Sequence, residues 1–176
     1  MADQGEVVRP VFDAETIARR VRELAEELEA FYPTGDLILL GTLKGGFIFL
    51  ADLVRQIRRA LEIDFLVAAS YGVNKTSSRQ VRILYDPVTL LTSRHVVLVE
   101  DIIDSGTTLN SLVRLLEARG PASLEICALL HKRKADLVLE PRFVGFDAPD
   151  EFLVGYGLDY AQRYRHLPFV GSLSTE

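Results

Sequence analysis

Residues 96–108, VVLVEDIIDSGTT, join an apolar run to a polar segment rich in carboxylates and hydroxyls. Val96–Val99 is a continuous apolar run, which is typical of a strand buried on both faces of a parallel sheet. The polar residues that follow lead into a segment with apolar side chains at Leu109, Leu112, Val113 and Leu116, the spacing of an amphipathic helix. The stretch therefore predicts a strand, a short loop and a helix in direct succession.

The flanking sequence repeats this alternation of strands and helices. A helix is predicted from the N-cap Asp13 to Pro33, and a second helix places its apolar face between Phe47 and Leu61. Short apolar runs predict strands at 37–40, 62–70, 81–85 and 124–130. We therefore predict an α/β fold, an open, mostly parallel twisted sheet flanked by helices, with ligands at the carboxyl ends of its strands.

Length and composition limit the class of protein. The 176 residues, 48% hydrophobic and 26% charged, predict a single domain over 1–176. The pattern of residues 143–157 predicts short strands and turns. We expect residues 143–176, together with the N-terminal residues, to form part of a small hood over the edge of the sheet. The polar stretch 71–79 is expected to be a mobile loop.

Charge and cysteine content limit the possible functions of the chain. A net charge of −5 disfavours binding to nucleic acid. The single cysteine, Cys127, is expected to be a buried, inert thiol and excludes an internal disulfide and a cysteine-based zinc site. Because neither an apolar leader nor an apolar run of 18 residues occurs, we expect a cytoplasmic protein without a membrane partner.

The loop after the central strand has the chemistry of a phosphate site. The hydroxyls of Ser105, Thr107 and Thr108 and the amides of a helix N-terminus favour a phosphate monoester, and Gly106 permits close approach of the backbone. No P-loop and no dinucleotide fingerprint occurs in the sequence.

Three carboxylates precede this loop. Glu100 and Asp101 stand where they can hold vicinal ribose hydroxyls, directly or through a divalent cation. Asp104 is placed to accept a proton from, or hydrogen-bond to, a ring nitrogen of a base.

Residues 96–108 resemble the phosphoribosyl-diphosphate-binding signature of type I phosphoribosyltransferases. The wider chain resembles the bacterial hypoxanthine-guanine phosphoribosyltransferases, through LKGG at 43–46, SYG at 70–72 and EFLVGYGLDYAQRYRHLP at 151–168. The first motif marks the superfamily, and the last is specific to the branch that acts on 6-oxopurines.

The resemblance implies a role for each matching residue on the sugar side. The loop Gly41–Gly46 would bind diphosphate, through Leu43, Lys44, Gly45 and Gly46, with a cis peptide between Leu43 and Lys44. Asp104–Thr108 would bind the 5′-phosphate. Glu100 and Asp101 would hold the ribose and Mg²⁺, and Asp104 would face the purine N7 as general base.

The resemblance also implies the purine side of the site. Lys132 would hydrogen-bond the 6-oxo group, Phe152 would stack on the purine, and the Leu153 backbone would contact its edge. Asp159, beside the purine, would bind a second Mg²⁺, and Arg165 would bind diphosphate. Ser70, Tyr71 and the loop after them would close over the site.

The function implied is purine salvage, in which hypoxanthine or guanine receives the phosphoribosyl group from phosphoribosyl diphosphate. The resemblance also implies a homodimer or homotetramer. Alternatives are a transferase for xanthine, adenine or a pyrimidine, a nucleotide-sensing regulator that binds RNA or DNA, and a phosphate-binding module without catalysis. A lysine at the 6-oxo group disfavours adenine, the acidic net charge disfavours the regulator, and LKGG with Asp159 disfavours the bare module.

Overall fold

A computed structural model of the chain describes residues 6–71 and 80–175. The predicted mobile loop therefore lies outside the described residues from position 72 to 79. The helices are α1 (Ala14–Phe31), α2 (Phe47–Gln56) and α3 (Thr107–Glu117). The strands are β1 (Glu6–Phe12), β2 (Leu37–Leu43), β3 (Glu62–Tyr71), β4 (Gln80–Tyr85), β5 (His95–Ile103), β6 (Ser123–His131), β7 (Phe143–Asp147), β8 (Leu153–Val154) and β9 (Val170–Thr175).

The central sheet has six strands in the order β4-β3-β2-β5-β6-β7. All neighbours are parallel except β3 and β4, which form an antiparallel pair at one edge. Helices α1 and α2 contribute to the apolar cluster on one face, and α3 contributes to the cluster on the other. The predicted α/β fold with a mostly parallel sheet is confirmed.

The order of the strands creates a switch point between β2 and β5. From β2 the chain moves outward to β3, whereas from β5 it moves outward in the opposite direction to β6. Because Gly41 pairs with Val99 in parallel register, residues 42–46 lie beside residues 100–104. The loops that follow the two strands diverge from this point and leave a crevice in which ligands of such sheets bind.

A second sheet of three strands, in the order β1-β9-β8, forms what we call the hood sheet. Strand β1 was not predicted, because Pro10 interrupts its short apolar pattern. The structure explains how the proline is tolerated: β1 is an edge strand, and its register shifts between Pro10 and Phe12. Strand β7, predicted to start the hood, instead pairs with β6 in the central sheet.

Helix α2 ends earlier than its apolar pattern suggests. It stops at Gln56, and Ile57 is already extended. The carboxylate of Glu29 accepts hydrogen bonds from the backbone N–H groups of Arg58 (2.6 Å) and Arg59 (3.3 Å), which holds the chain in its new direction. Ile57 and Leu61 still pack against the core, so the prediction identified apolar positions correctly but extended the helix too far.

Helix α1 begins as predicted, with the Asp13 carboxylate accepting a hydrogen bond of 2.7 Å from the Thr16 amide. Within the described part of the chain, no helix is long and apolar enough to cross a membrane.

Candidate active site

The phosphate loop joins the end of β5 to the start of α3. Gly106 has a positive φ of 76°, which favours glycine, and a side chain there would meet Leu137. No side chain in the described ranges caps the first turn of α3. Residues 100 and 102–109 line a cavity of about 170 Å³, and the amides at the start of the helix therefore have room for an anion.

Glu100 and Asp101 form an acidic pair at the switch point. The Thr42 hydroxyl donates a 2.6 Å hydrogen bond to Glu100 from the neighbouring strand. Burial, with the adjacent charge of Asp101, raises the pKa of Glu100 to about 8. Burial also raises the pKa of Asp101, against the lowering effect of the Arg165 charge. Two acids that resist ionisation side by side favour a bound cation.

The loop after β2 packs directly on this pair. The peptide bond between Leu43 and Lys44 is cis, as the resemblance implied. Gly45 lies so close to Asp101 that any side chain at this position would overlap the carboxylate. Gly46 donates its backbone N–H to the Thr42 carbonyl (3.1 Å) and precedes the first residue of α2.

Asp104 and Lys132 form an ion pair beside the phosphate loop. The Lys132 ammonium lies 3.3 Å from the Asp104 carboxylate, and its side chain is only 14% exposed, whereas that of Asp104 is 69% exposed. Arg133 instead pairs with Asp147 at 2.7 Å, and Lys134 pairs with Asp150. The structure therefore separates Lys132 from its two cationic neighbours.

The turn after β8 covers the loop that follows β2. Gly157 has a φ of 102° and packs on the Gly45 carbonyl so tightly that a Cβ would overlap it. Arg165 donates a 2.6 Å hydrogen bond to the Gly157 carbonyl and forms a 2.5 Å ion pair with Asp159. The charge of Arg165 lowers the pKa of Asp101, and the charge of Asp159 raises it. These three predicted residues therefore lie close together.

Phe152 and Leu153 lie at the start of β8. Phe152 is 54% exposed, so its ring is accessible to a ligand. Its ring meets the Tyr160 ring edge to face, with centroids 5.6 Å apart. Leu153 is buried and pairs with Ser172 of β9, so its side chain contributes to packing.

The remaining predictions concern Ser70, Tyr71, Cys127 and the histidines. Ser70 and Tyr71 are the last residues of β3, where their backbones pair with β4. Cys127 is buried in β6, and burial raises the pKa of its thiol, as expected for an inert cysteine. His95 shares a hydrogen bond of 2.8 Å with Ser123, and His131 is buried.

Four residues at or near the site were missed by the sequence analysis. Thr42 holds Glu100, Tyr160 contacts Phe152, and Gln162 accepts a 3.1 Å hydrogen bond from the Lys44 ammonium. The Tyr156 hydroxyl donates a 2.6 Å hydrogen bond to Asp52 of α2. These contacts join residues that are 8 to 118 positions apart, so no local pattern identifies them.

The carboxylates fit a magnesium ion that is shared with a substrate. Magnesium usually binds one or two protein carboxylates together with phosphate oxygens and water, and Glu100, Asp101 and Asp159 supply such oxygens. Across residues 6–71 and 80–175, no three His, Cys, Asp or Glu side chains converge to form a metal cage of their own. These carboxylates would therefore hold Mg²⁺ only together with oxygen atoms that a substrate supplies.

Comparison with known proteins gives consistent matches. A family model described as the phosphoribosyl transferase domain matches residues 9–161. The hypoxanthine phosphoribosyltransferase of Escherichia coli (strain K12) is 46% identical over 160 residues, 89% of this chain and 90% of that protein. The hypoxanthine-guanine phosphoribosyltransferase of Bacillus subtilis (strain 168) is 44% identical over 171 residues, 96% of this chain and 94% of that protein. A crystal structure of a hypoxanthine-guanine phosphoribosyltransferase from Bacillus anthracis superimposes with a TM-score of 0.89 at 39% identity, covering 94% of this chain and 98% of that chain.

Proposed function

This chain belongs to the phosphoribosyl transferase domain family, and from that premise we propose that it is a 6-oxopurine phosphoribosyltransferase of purine salvage. It transfers the 5-phosphoribosyl group of phosphoribosyl diphosphate to hypoxanthine or guanine, giving IMP or GMP and diphosphate. The observation that carries the proposal is the Asp104–Lys132 pair beside the phosphate loop. It places an acceptor and a donor side by side, as the N7–H and 6-oxo groups of such a purine require.

The phosphate loop would fix the sugar end of the substrate. The 5′-phosphate occupies the cavity at the start of α3, where helix amides and the hydroxyls of Ser105, Thr107 and Thr108 are available. The ribose then extends toward Glu100 and Asp101, whose carboxylates accept hydrogen bonds from its hydroxyls. This placement brings C1 of the ribose between the base and the diphosphate, so the protein contributes chiefly by orientation.

The base would be held by charge and stacking. The Lys132 ammonium donates to the 6-oxo oxygen, Phe152 stacks on the ring, and the Leu153 backbone contacts the purine edge. When purine N9 forms its bond to C1, the bond from C1 to the diphosphate oxygen breaks, and the N7 proton passes to Asp104. A 6-amino group would meet the ammonium as a donor, so adenine is rejected.

The leaving diphosphate would be held by the loop after β2 and by the hood. Backbone N–H groups of residues 43–46 and the guanidinium of Arg165 bind its oxygens. Glu100, Asp101 and Asp159 would hold Mg²⁺, which supplies charge neutralisation for the diphosphate. Ser70, Tyr71 and the loop that follows would exclude water from the oxocarbenium-like sugar during transfer.

The proposal extends to the organisation of the chain. Residues 1–176 act as one domain, and the segment from β8 onward contributes the hood over the base. The protein works as a homodimer or homotetramer.

A parallel turnover assay tests the proposed function. Hypoxanthine, guanine, xanthine and adenine are each supplied with phosphoribosyl diphosphate and Mg²⁺, with an EDTA control. We expect Mg²⁺-dependent nucleotide formation from hypoxanthine or guanine and none from adenine. Turnover of xanthine alone would assign the chain to a sister transferase. Binding of phosphoribosyl diphosphate without turnover of any base would contradict catalysis and favour a regulator.

A further inference from the structure

A tight turn in the hood lies between the purine side and the diphosphate side of the proposed site. Tyr160 and Arg163 exchange two backbone hydrogen bonds, of 3.2 and 3.0 Å. Ala161 and Gln162, between them, have φ values of 52° and 66°. Two successive residues of positive φ form a type I′ turn, whose backbone does not vary freely. We call residues 160–163 the hood turn.

The hood turn is held in place at both ends. The Asp159 carboxylate accepts a 2.8 Å hydrogen bond from the backbone N–H of Gln162. The Arg163 guanidinium pairs with Glu6 of β1 at 2.9 Å and also lies 5.8 Å from the Tyr160 ring. Because positive φ values at non-glycine residues are costly, the turn persists only where such contacts determine its shape. These contacts therefore hold the hood turn in one shape.

One side of the hood turn contacts the purine-stacking residue. The Tyr160 ring lies at 86° to the Phe152 ring, with the centroids 5.6 Å apart. Phe152 is more than half exposed, so few other groups restrain its ring. An edge-to-face contact is a preferred arrangement of two aromatic rings, so it favours one orientation of the Phe152 ring. Tyr160 thus sets the plane against which a base would stack.

The other side of the hood turn contacts the diphosphate loop. The Gln162 amide oxygen accepts a 3.1 Å hydrogen bond from the Lys44 ammonium. The next residue, Gly45, is the one on which Gly157 packs, three residues before the turn. The loop after β2 is therefore joined to the hood turn through the Lys44 and Gln162 side chains.

We propose that the hood turn couples occupancy of the purine subsite to occupancy of the diphosphate subsite, with Tyr160 and Gln162 as positioning residues. This inference rests on the proposed function. A diphosphate on residues 43–46 fixes Lys44, and through Gln162 it fixes the turn that holds Tyr160 against Phe152. Base binding then requires less ordering of the Phe152 ring, and by reciprocity a bound base favours the diphosphate-binding loop.

The test measures a coupling factor rather than activity. Hypoxanthine and magnesium diphosphate contain no ribose, so both can be titrated into the protein together without any reaction. Calorimetry gives the hypoxanthine dissociation constant with and without saturating magnesium diphosphate, and the ratio of the two is the coupling factor. For the wild type we expect a factor of about 5 or more, the lower range of allosteric couplings.

Matched variants locate the coupling. Tyr160→Leu and Gln162→Ala should each bring the coupling factor close to 1. The double variant should have the same coupling factor as either single variant, because both residues belong to the same chain of contacts. Tyr160→Phe keeps the ring and should keep the factor, as should Gln162→Glu, which still accepts from Lys44. The Gln162 side chain is exposed, so its variants test the proposal even if Tyr160→Leu does not fold.

The outcomes separate the two proposals. A wild-type factor of 1 in a protein that turns over hypoxanthine would overturn the coupling and leave the proposed function intact. A wild-type factor that both variants preserve, with each ligand binding more weakly on its own, would show only local roles and would also overturn it. A wild type that neither binds hypoxanthine nor turns it over would contradict the proposed function itself.

Discussion

Replacing Glu100 by Gln should stabilise the ligand-free protein while impairing its reaction. The Glu100 carboxyl has a pKa of about 8 in the folded chain against an ordinary value of 4.5, because burial and Asp101 oppose its ionisation. The folded state therefore binds more protons than the unfolded state between these two pH values, and stability falls as the pH rises from about 4.5 to 8. Glutamine keeps the acceptor for the Thr42 hydroxyl without the charge.

The size of the gain follows from the pKa difference. The full difference corresponds to about 5 kcal/mol. Water reaches the partly exposed end of β5, so we expect roughly 2 kcal/mol above pH 8. For a chain of this length, that gain raises Tm by about 4–8 °C. The gain should shrink as the pH is lowered and disappear near pH 4.5.

Chemical unfolding followed by circular dichroism at pH 5 and pH 8.5 measures this effect. Glu26→Gln, on the exposed face of α1, is the matched control and should change the free energy of unfolding by less than about 0.5 kcal/mol. Adding Mg²⁺ and phosphoribosyl diphosphate should stabilise the wild type more than Glu100→Gln. A variant that is no more stable than the wild type at pH 8.5, or whose gain is larger at pH 5, would show that burial of the Glu100 charge does not destabilise the fold.

Three further substitutions test individual contacts. Gly45→Ala should raise the KM for phosphoribosyl diphosphate at least about tenfold, because the new methyl group displaces the Asp101 carboxylate. An unchanged KM in steady-state kinetics would contradict this packing. Lys132→Ala should raise the KM for hypoxanthine more than the KM for phosphoribosyl diphosphate. The control Lys134→Ala loses only a surface ion pair and should change neither KM. Equal effects of the two variants would rule out a specific role for Lys132. Tyr156→Phe should lower the free energy of unfolding by about 1 kcal/mol in urea titrations, because it removes the hydrogen bond to Asp52, and no loss would show that this bond is replaced by water.

Local sequence patterns predicted most of the central sheet and the phosphate loop. Val96–Val99 belongs to a buried strand because both faces of the sheet are covered, and alternate residues of this run contribute to the two apolar clusters. The loop 104–108 directly follows β5 in the chain, so one continuous stretch of sequence contains both the strand and the loop. Residues 96–108 therefore predicted the strand, the loop and the start of α3 correctly, although β5 continues through Glu100 and Asp101 to Ile103.

What the sequence did not predict depends on contacts between distant segments. Strand β1 is ordered by pairing with β9, more than 150 residues away, and its own apolar pattern is weak. The end of α2 depends on Glu29 of another helix. Tyr160 and Gln162 face Phe152 and Lys44 only because a type I′ turn forms without glycine or asparagine, the residues that usually indicate one.

Turnover by Asp104→Asn, compared with its affinity for phosphoribosyl diphosphate, tests whether Asp104 accepts the purine proton. Asparagine keeps the size and one hydrogen-bond acceptor of Asp104 but cannot take the purine proton. The proposed mechanism predicts that kcat for hypoxanthine falls by about 100-fold or more, in the range of general-base catalysis, with the phosphoribosyl diphosphate dissociation constant changed less than about threefold. A variant that retains wild-type turnover would contradict the role of Asp104 and the site built around it.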